Sequence, residues 1–202
     1  MVLFIDSCLA LLALAAALWV RPWRALPSGP PWPWWAFWAL LPLFWGLDRY
    51  TASPFAQPLS GVVLLTLMAG WPLAMLALVP AAVVTMVAGD LPLAEALHRL
   101  VWLGAVPGSL ALAIGAALRR WMPHHLFIYI LGRGFLGTLL ACATAAWIAL
   151  SLLGQPVPPE FYIARWLGAF GEAFLTGMVV AILVAFHPEW LATYTDRLYL
   201  PR

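Results

Sequence analysis

The stretch FYIARWLGAFGEAFLTGMVVAILVAF (161–186) decides the fold class of this chain. Arg165 and Glu172 are its only charged residues. A helix needs roughly 20 mostly apolar residues to cross the ~30 Å hydrocarbon core of a bilayer. The stretch exceeds that length, so we predict that it forms a membrane-spanning helix.

The composition of the whole chain points the same way. Of its 202 residues 65% are hydrophobic and 9% are charged, and the mean hydropathy is +0.95. About a quarter of the residues of a soluble domain are charged, so the composition excludes a water-soluble globular protein. The basic residues are all arginines, scattered singly or in pairs, and the formal net charge is only +2. No clustered basic face exists to bind nucleic acid, and we predict no such partner.

Pro, Gly and charged residues divide the chain into seven apolar segments. We predict an all-α integral membrane protein with one transmembrane domain over residues 1–202. Its bundle of about seven transmembrane helices is expected at 2–20, 32–47, 58–70, 72–89, 95–118, 126–153 and 161–186. The second and third segments are short for a bilayer, so we expect tilt, re-entrance or burial within the protein there.

Side chains that favour the membrane interface set the predicted orientation. Arginines concentrate in cytoplasmic loops. We therefore predict seven crossings, with the N-terminus outside and the C-terminus cytoplasmic. This topology leaves only Arg49 in an outer loop and places six arginines inside: Arg21, Arg24, Arg119, Arg120, Arg197 and Arg202. Tryptophans near segment ends predict an aromatic belt: Trp19, Trp23, Trp32, Trp34, Trp35, Trp71, Trp121, Trp166 and Trp190.

Two charged residues fall deep inside apolar segments. Arg133 lies about 10 Å into the sixth segment and Glu172 about 16 Å into the seventh from the opposite face, at 1.5 Å per residue. The matched depths predict an intramembrane ion pair between them, because an unpaired charge in the membrane costs at least about 2.5–3.5 kcal/mol. Nearby glycines would let the two helices approach closely. The pair is either a structural lock between helices or a group coupled to substrate or protons.

A second charged group gathers at the predicted outer face and supplies candidates for a substrate or ion pathway: Asp6, Asp90, Glu95, His98 and Arg99, with Asp48, Glu160 and Arg165 nearby. Glu95, His98 and Arg99 have i, i+3 and i+4 spacing and would share one helix face. Glu95 with His98 forms half of a site for a transition metal, although two ligands are too few. The alternative is a solvated helix start with a local Glu95–Arg99 pair.

The chain carries none of the short motifs of soluble enzymes. It contains no G-x-S-x-G, H-E-x-x-H, Walker or dinucleotide-binding pattern. We therefore predict that the protein is not an enzyme and has no organic cofactor.

Three stretches resemble a known transporter family: the hairpin 58–72, Gly89-Asp90 leading to Arg119-Arg120, and GAFGEAFLTG (168–177) continuing to His187-Pro188-Glu189. Over roughly residues 55–190 they resemble the cobalt- and nickel-uptake permeases of energy-coupling-factor transporters, the CbiM-like membrane component. The resemblance implies a substrate-capture subunit in a bacterial-type inner membrane. It also implies a transition-metal cargo, and lipid, other membrane subunits and ATPase subunits as partners.

The metal-binding positions of that family are changed in this chain. Met1-Val2 stands where members begin Met-His, and Gln57 stands where a loop histidine would fall. We therefore predict no tight cobalt or nickel site. The small residues Ala13 and Ala17 offer a contact for a partner helix. The competing interpretation is a non-catalytic membrane subunit or assembly factor of a larger complex.

Overall fold

The computed structural model describes residues 2–25, 29–50, 57–152, 157–195 and 199, and their regular secondary structure is entirely helical. Seven helices of these residues form the bundle: α1 (Val2–Val20), α2 (Trp32–Trp45), α3 (Val62–Ala69), α4 (Trp71–Ala88), α5 (Leu93–Trp121), α6 (Ile128–Ser151) and α7 (Pro159–Phe186). Short helical turns lie at Pro22–Ala25, Leu47–Tyr50 and Pro188–Trp190. The predicted all-α fold is confirmed.

Five of the described helices, α1 and α4 to α7, are long and apolar enough to cross a membrane. The other two, α2 and α3, have 14 and 8 residues. At 1.5 Å per residue they extend about 21 Å and 12 Å, less than a core of ~30 Å. The multi-pass membrane character is thus supported by five candidate spans. Arg197 and Arg202, which contributed to the predicted orientation, lie outside the described residues.

Large apolar side chains cover the outside of the bundle, as a lipid-facing surface requires. Trp19 and Trp121, near helix ends, are 84% and 77% exposed. The aromatic-belt prediction was wrong for Trp34, which is buried and donates its indole N–H to the Leu65 carbonyl at 3.2 Å. Because a tryptophan inside the protein needs an acceptor for its N–H, Trp34 serves to hold α2 against α3.

The short helix α3 lies inside the protein, and all its residues are buried. It begins after Gly61 and ends at Gly70, whose φ angles of 68° and 84° are readily adopted only by glycine. A Cβ atom on Gly61 would also come within 2.8 Å of the Leu41 side chain. The third predicted segment is therefore a half-helix enclosed by the bundle, in line with the expected burial.

The chain that follows α7 returns to complete the C-terminal end of α3. Thr193 donates to the Leu67 carbonyl through both its N–H, at 3.3 Å, and its Oγ1, at 2.9 Å. The N–H of Ala192 donates to the Met68 carbonyl at 3.0 Å. The last carbonyls of a helix have no partner within it and cannot reach water inside a bundle. These bonds therefore allow α3 to end in the protein interior.

Helix α1 packs against α4 along a stripe of small residues. Ala13 is 8% exposed and Ala17 is fully buried. The face proposed for a partner helix is thus already covered by the chain itself.

Helices α6 and α7 approach closely where Gly134 faces Gly177. A Cβ atom on Gly134 would lie 3.4 Å from the Cα of Gly177, and one on Gly177 would lie 3.1 Å from the Cβ of Phe135. Gly168 and Gly171 have open space around them instead. The predicted role of the glycines in helix approach therefore holds for Gly134 and Gly177.

Two stretches of the long helices adopt π-helical geometry, Leu100–Ala105 in α5 and Ile128–Leu136 in α6. Such turns are rare and frequently occur at functional sites. The first directly follows Arg99, and the second contains Arg133. Both irregular stretches thus coincide with charges inside candidate membrane spans.

Candidate functional site

An ionised network centred on Arg99 lies where α2 ends and α5 begins. The two terminal nitrogens of Arg99 donate to the two carboxylate oxygens of Asp48 at 2.8 and 2.7 Å. One of them also donates to Glu95 at 2.6 Å, and the other donates to the carbonyl of Trp45. Paired parallel bonds between guanidinium and carboxylate are among the strongest hydrogen bonds in proteins. The Glu95–Arg99 pair expected from the i, i+4 spacing is present.

Asp48 and Arg49, in the helical turn Leu47–Tyr50 after α2, extend this network. Arg49 donates to both carboxylate oxygens of Glu95, at 3.2 and 3.1 Å. Burial alone would raise the pKa of Asp48, but the hydrogen bonds and positive charge of Arg99 outweigh it and lower the pKa. Asp48 therefore stays ionised at neutral pH.

Asp6 connects α1 to the same end of α5. It is 1% exposed, and its two oxygens lie 2.9 Å from Nδ1 of His98 and 2.8 Å from Nε1 of Trp102. A carboxylate only accepts, so Nδ1 of His98 is the donor. His98 and Trp102 are four residues apart and face α1 together. The structure thus brings Asp6 and His98, grouped from sequence, into direct contact.

A cavity of about 270 Å³ opens beside the network, and Asp48, Glu95, Arg99 and Arg165 supply the charges of its wall. We call these residues, with Asp6 and His98, the network end. Both terminal nitrogens of Arg99 donate to carboxylates. Arg165, in contrast, forms no hydrogen bond or ion pair with any described residue, and its Nε atom is buried. The cavity therefore has one arginine whose charge no described carboxylate neutralises through a direct contact.

A smaller cavity of about 30 Å³ shares Trp102, Ala146 and Arg165 with the first and is also lined by Glu172. Glu172 follows Arg165 by seven residues on α7, which corresponds to about 10 Å along the helix. The two adjacent cavities thus lie between the network end and a carboxyl group deep in the bundle.

Glu172 is held by the N-terminal end of α3. Its carboxylate oxygens accept hydrogen bonds from the backbone N–H groups of Ser60 and Gly61, both at 2.8 Å. The thiol of Cys142 lies 3.5 Å from one of them. The free N–H groups at a helix start favour negative charge. Backbone amides of the buried half-helix, rather than a cation, therefore stabilise this carboxylate.

The predicted ion pair between Arg133 and Glu172 is not formed. Arg133 points toward the opposite end of the bundle, where its guanidinium carbon lies 5.6 Å from the ring centre of Tyr129 and one nitrogen lies 3.4 Å from the Thr193 carbonyl. The prediction was wrong because it treated the two helices as the only source of partners. Arg133 instead contacts an aromatic ring and one backbone carbonyl, and the start of the buried half-helix binds Glu172.

The remaining predicted residues stay outside this arrangement. Asp90 is exposed in the turn after α4, with φ of 48°, and Glu160 is exposed in the first turn of α7. Glu95 and His98 do not converge, because arginines engage Glu95 and Asp6 engages His98. Among the described residues, no three His, Cys, Asp or Glu side chains gather as metal ligands would.

Sequence reasoning missed the backbone donors at Glu172. Ser60-Gly61 directly precedes an apolar run, which is a signal for a helix start. That signal could have placed an anion-binding helix end in the third segment. It could not have named Glu172 as the anion, because that contact joins residues more than 110 positions apart.

The site thus consists of a charged network, an adjoining cavity with Arg165, and Glu172 at the start of a half-helix. Comparisons of the chain with protein-family models, curated proteins and solved structures give no match.

Proposed function

We propose that this chain is the membrane-embedded substrate-capture component of a multi-subunit uptake transporter of the energy-coupling-factor type. The cavity of about 270 Å³ at the network end is the observation that carries the proposal. Ionisable residues inside membrane proteins mark substrate pathways because each is costly to bury. A structural subunit has no need for an open, charged cavity next to a second cavity that a buried carboxylate lines.

The half-helix α3 adds support. Secondary transporters often build their binding sites from interrupted helices whose N-terminal ends face anionic groups. In this chain, the N-terminal end of α3 faces Glu172, which also lines the smaller cavity. The interrupted helix and the cavity therefore meet at one carboxylate.

The proposal includes seven crossings with the N-terminus outside. Trp32 at the start of α2 contacts Trp190, after α7, and Trp45 at the end of α2 contacts Arg99, near the start of α5. In this topology α2 makes the second crossing, and the chain from residue 57 through α3 makes the third. A reporter fused after Arg202 is then active in the cytoplasm, and extracytoplasmic activity of the fusion would refute the topology.

Purification from native membranes in mild detergent tests the function. We expect ATPase-type subunits to co-purify, and elemental analysis to find no stoichiometric cobalt or nickel. A complex without any ATPase subunit would refute the transporter proposal. Sub-micromolar binding of either ion by calorimetry would contradict the expected absence of a metal site and make Glu95 and His98 the first ligands to test.

The alternative function is a non-catalytic membrane subunit or assembly factor. An apolar groove of about 290 Å³ between α1 and α5, beside Leu12 and Leu110, favours it by offering space for a few apolar side chains of a neighbouring subunit. Co-purification with a respiratory or other large membrane complex would support this alternative.

A further inference from the structure

We propose that the cavity at the network end binds a small solute bearing a single carboxylate, with Arg165 as its anchor. The inference rests on the proposed function, because it names the substrate class that the same cavity would capture. The charge of the cavity wall, the free hydrogen-bonding capacity of Arg165 and the size of the cavity support this substrate class.

Arg165 supplies the free binding capacity. It lines both cavities, its Nε atom is buried, and no described residue accepts a hydrogen bond from it. Because no described residue accepts a hydrogen bond from this guanidinium, an acceptor that enters the cavity can bind it without displacing another partner. Carboxylates fit this role because their two oxygens match the guanidinium fork.

The neighbouring charges restrict the ligand to one negative charge. Asp48 and Glu95 line the same cavity and would repel a second carboxylate. Their oxygens are already engaged, those of Asp48 by Arg99 and those of Glu95 by Arg49 and Arg99. An ammonium group on the ligand would therefore compete with Arg49 and Arg99 for these carboxylates. A monocarboxylate fits better than a dicarboxylate or a zwitterion.

The rest of the wall suits a short apolar tail. Besides the charged residues and His98, the lining includes Trp102, whose indole N–H is used by Asp6, and the apolar Leu103, Ala146 and Ala149. A volume of about 270 Å³ is just below the roughly 300–1,000 Å³ of pockets for drug-sized ligands. The ligand is therefore expected to be smaller than a typical drug molecule.

Calorimetry and thermal unfolding of the purified chain in phosphatidylcholine nanodiscs test this inference with four probes of similar length. Butyrate should bind and raise the midpoint temperature of unfolding. Butyramide, which lacks the charge, should bind at least tenfold more weakly. Succinate and 4-aminobutyrate, which add a second charge, should also bind at least tenfold more weakly.

Variants assign the binding to Arg165. Arg165→Gln should lose at least tenfold in butyrate affinity, and Arg165→Lys should retain part of it because the charge remains. Arg120→Gln is the matched control, since Arg120 is exposed at the far end of α5, and it should bind butyrate like the wild type. The probe comparison uses the wild-type chain, so it stands even where a variant fails to fold.

Equal binding of butyrate and butyramide, or undiminished binding by folded Arg165→Gln, would overturn the inference. So would loss of butyrate binding on adding phosphatidylglycerol to the nanodiscs, which would assign the site to a lipid headgroup. Butyrate binding by a chain that co-purifies without ATPase subunits would refute only the proposed function. ATPase partners with no monocarboxylate binding would refute only the substrate class.

Discussion

The two ends of the bundle each contain an arginine with a buried Nε atom that lacks a partner among the described residues. At the network end, Arg165 borders a cavity of about 270 Å³. At the other end, the space beside Arg133 is about 10 Å³. The guanidinium of Arg133 fills the room beside Gly115, where a Cβ atom would come within 2.7 Å of it. We call this second region, formed by Arg133, Tyr129, Tyr194 and Tyr199, the closed end.

The comparison shows that a charge inside an apolar helix does not by itself identify a binding site. Both arginines break the apolar pattern of a candidate span, and the sequence does not show which of them has space beside it. The space around each side chain separates them, and that space is set by residues from other helices.

Removing the centre of the network should have the largest effect on stability. Arg99→Leu leaves Asp48 and Glu95 without their guanidinium, and breaking a buried pair by removing one partner is strongly destabilising. Because both carboxylates are partly exposed, we expect a loss of about 2–4 kcal/mol in the free energy of unfolding. Denaturant titration in micelles measures it, and a loss no larger than that of Arg120→Gln would contradict the role of Arg99.

Glu172→Gln should have the second-largest effect on the free energy of unfolding. The glutamine amide can accept from only one of Ser60 and Gly61, so one buried N–H group loses its acceptor, at about 1–3 kcal/mol. Since Glu172 and Arg133 do not meet, the double variant with Arg133→Gln should be additive within about 0.5 kcal/mol. A coupling energy above 1 kcal/mol by double-mutant cycle would restore the rejected ion pair.

Asp48 gives the network a dependence on pH. Its pKa is lowered in the folded state, so its contribution is fully present above the unfolded value near 3.8 and is lost as the pH falls through the lower folded value. Wild-type stability should fall more steeply than that of Asp48→Asn as the pH drops from about 5 to 3. If the free energies of unfolding of the two proteins change equally over that pH range, Asp48 does not stabilise the network.

Arg133→Met should have the smallest effect, within about 1 kcal/mol. The methionine keeps the apolar stem and removes a nitrogen without a hydrogen-bond partner, and such replacements are often neutral. Thermal unfolding should therefore give nearly the wild-type midpoint, and butyrate affinity should be unchanged. A large loss of stability would show that the contacts of Arg133 with Tyr129 and Thr193 matter more than their geometry indicates.

The helical membrane fold could be predicted because it depends on local composition. Apolar runs and their Pro and Gly breaks placed the helices within a few residues, including the shortness of α2 and α3. The Glu95–Arg99 pair could also be predicted, because its spacing is local. The hydrogen bonds of Asp6 with His98 and of Glu172 with Ser60 could not, since each joins segments about a hundred residues apart.

Cysteine labelling tests most directly whether the cavity at the network end is open to water. Ala146→Cys lines both adjacent cavities, and Thr144→Cys lies on the exposed, lipid-facing side of the same helix. Both are made in a chain with Cys8→Ala and Cys142→Ala, and a charged, membrane-impermeant thiol reagent is applied to intact cells. A thiol in lipid does not ionise, so we predict labelling of Ala146→Cys at least tenfold faster than of Thr144→Cys. Equal rates, or no labelling of Ala146→Cys in membranes opened from both sides, would contradict the account.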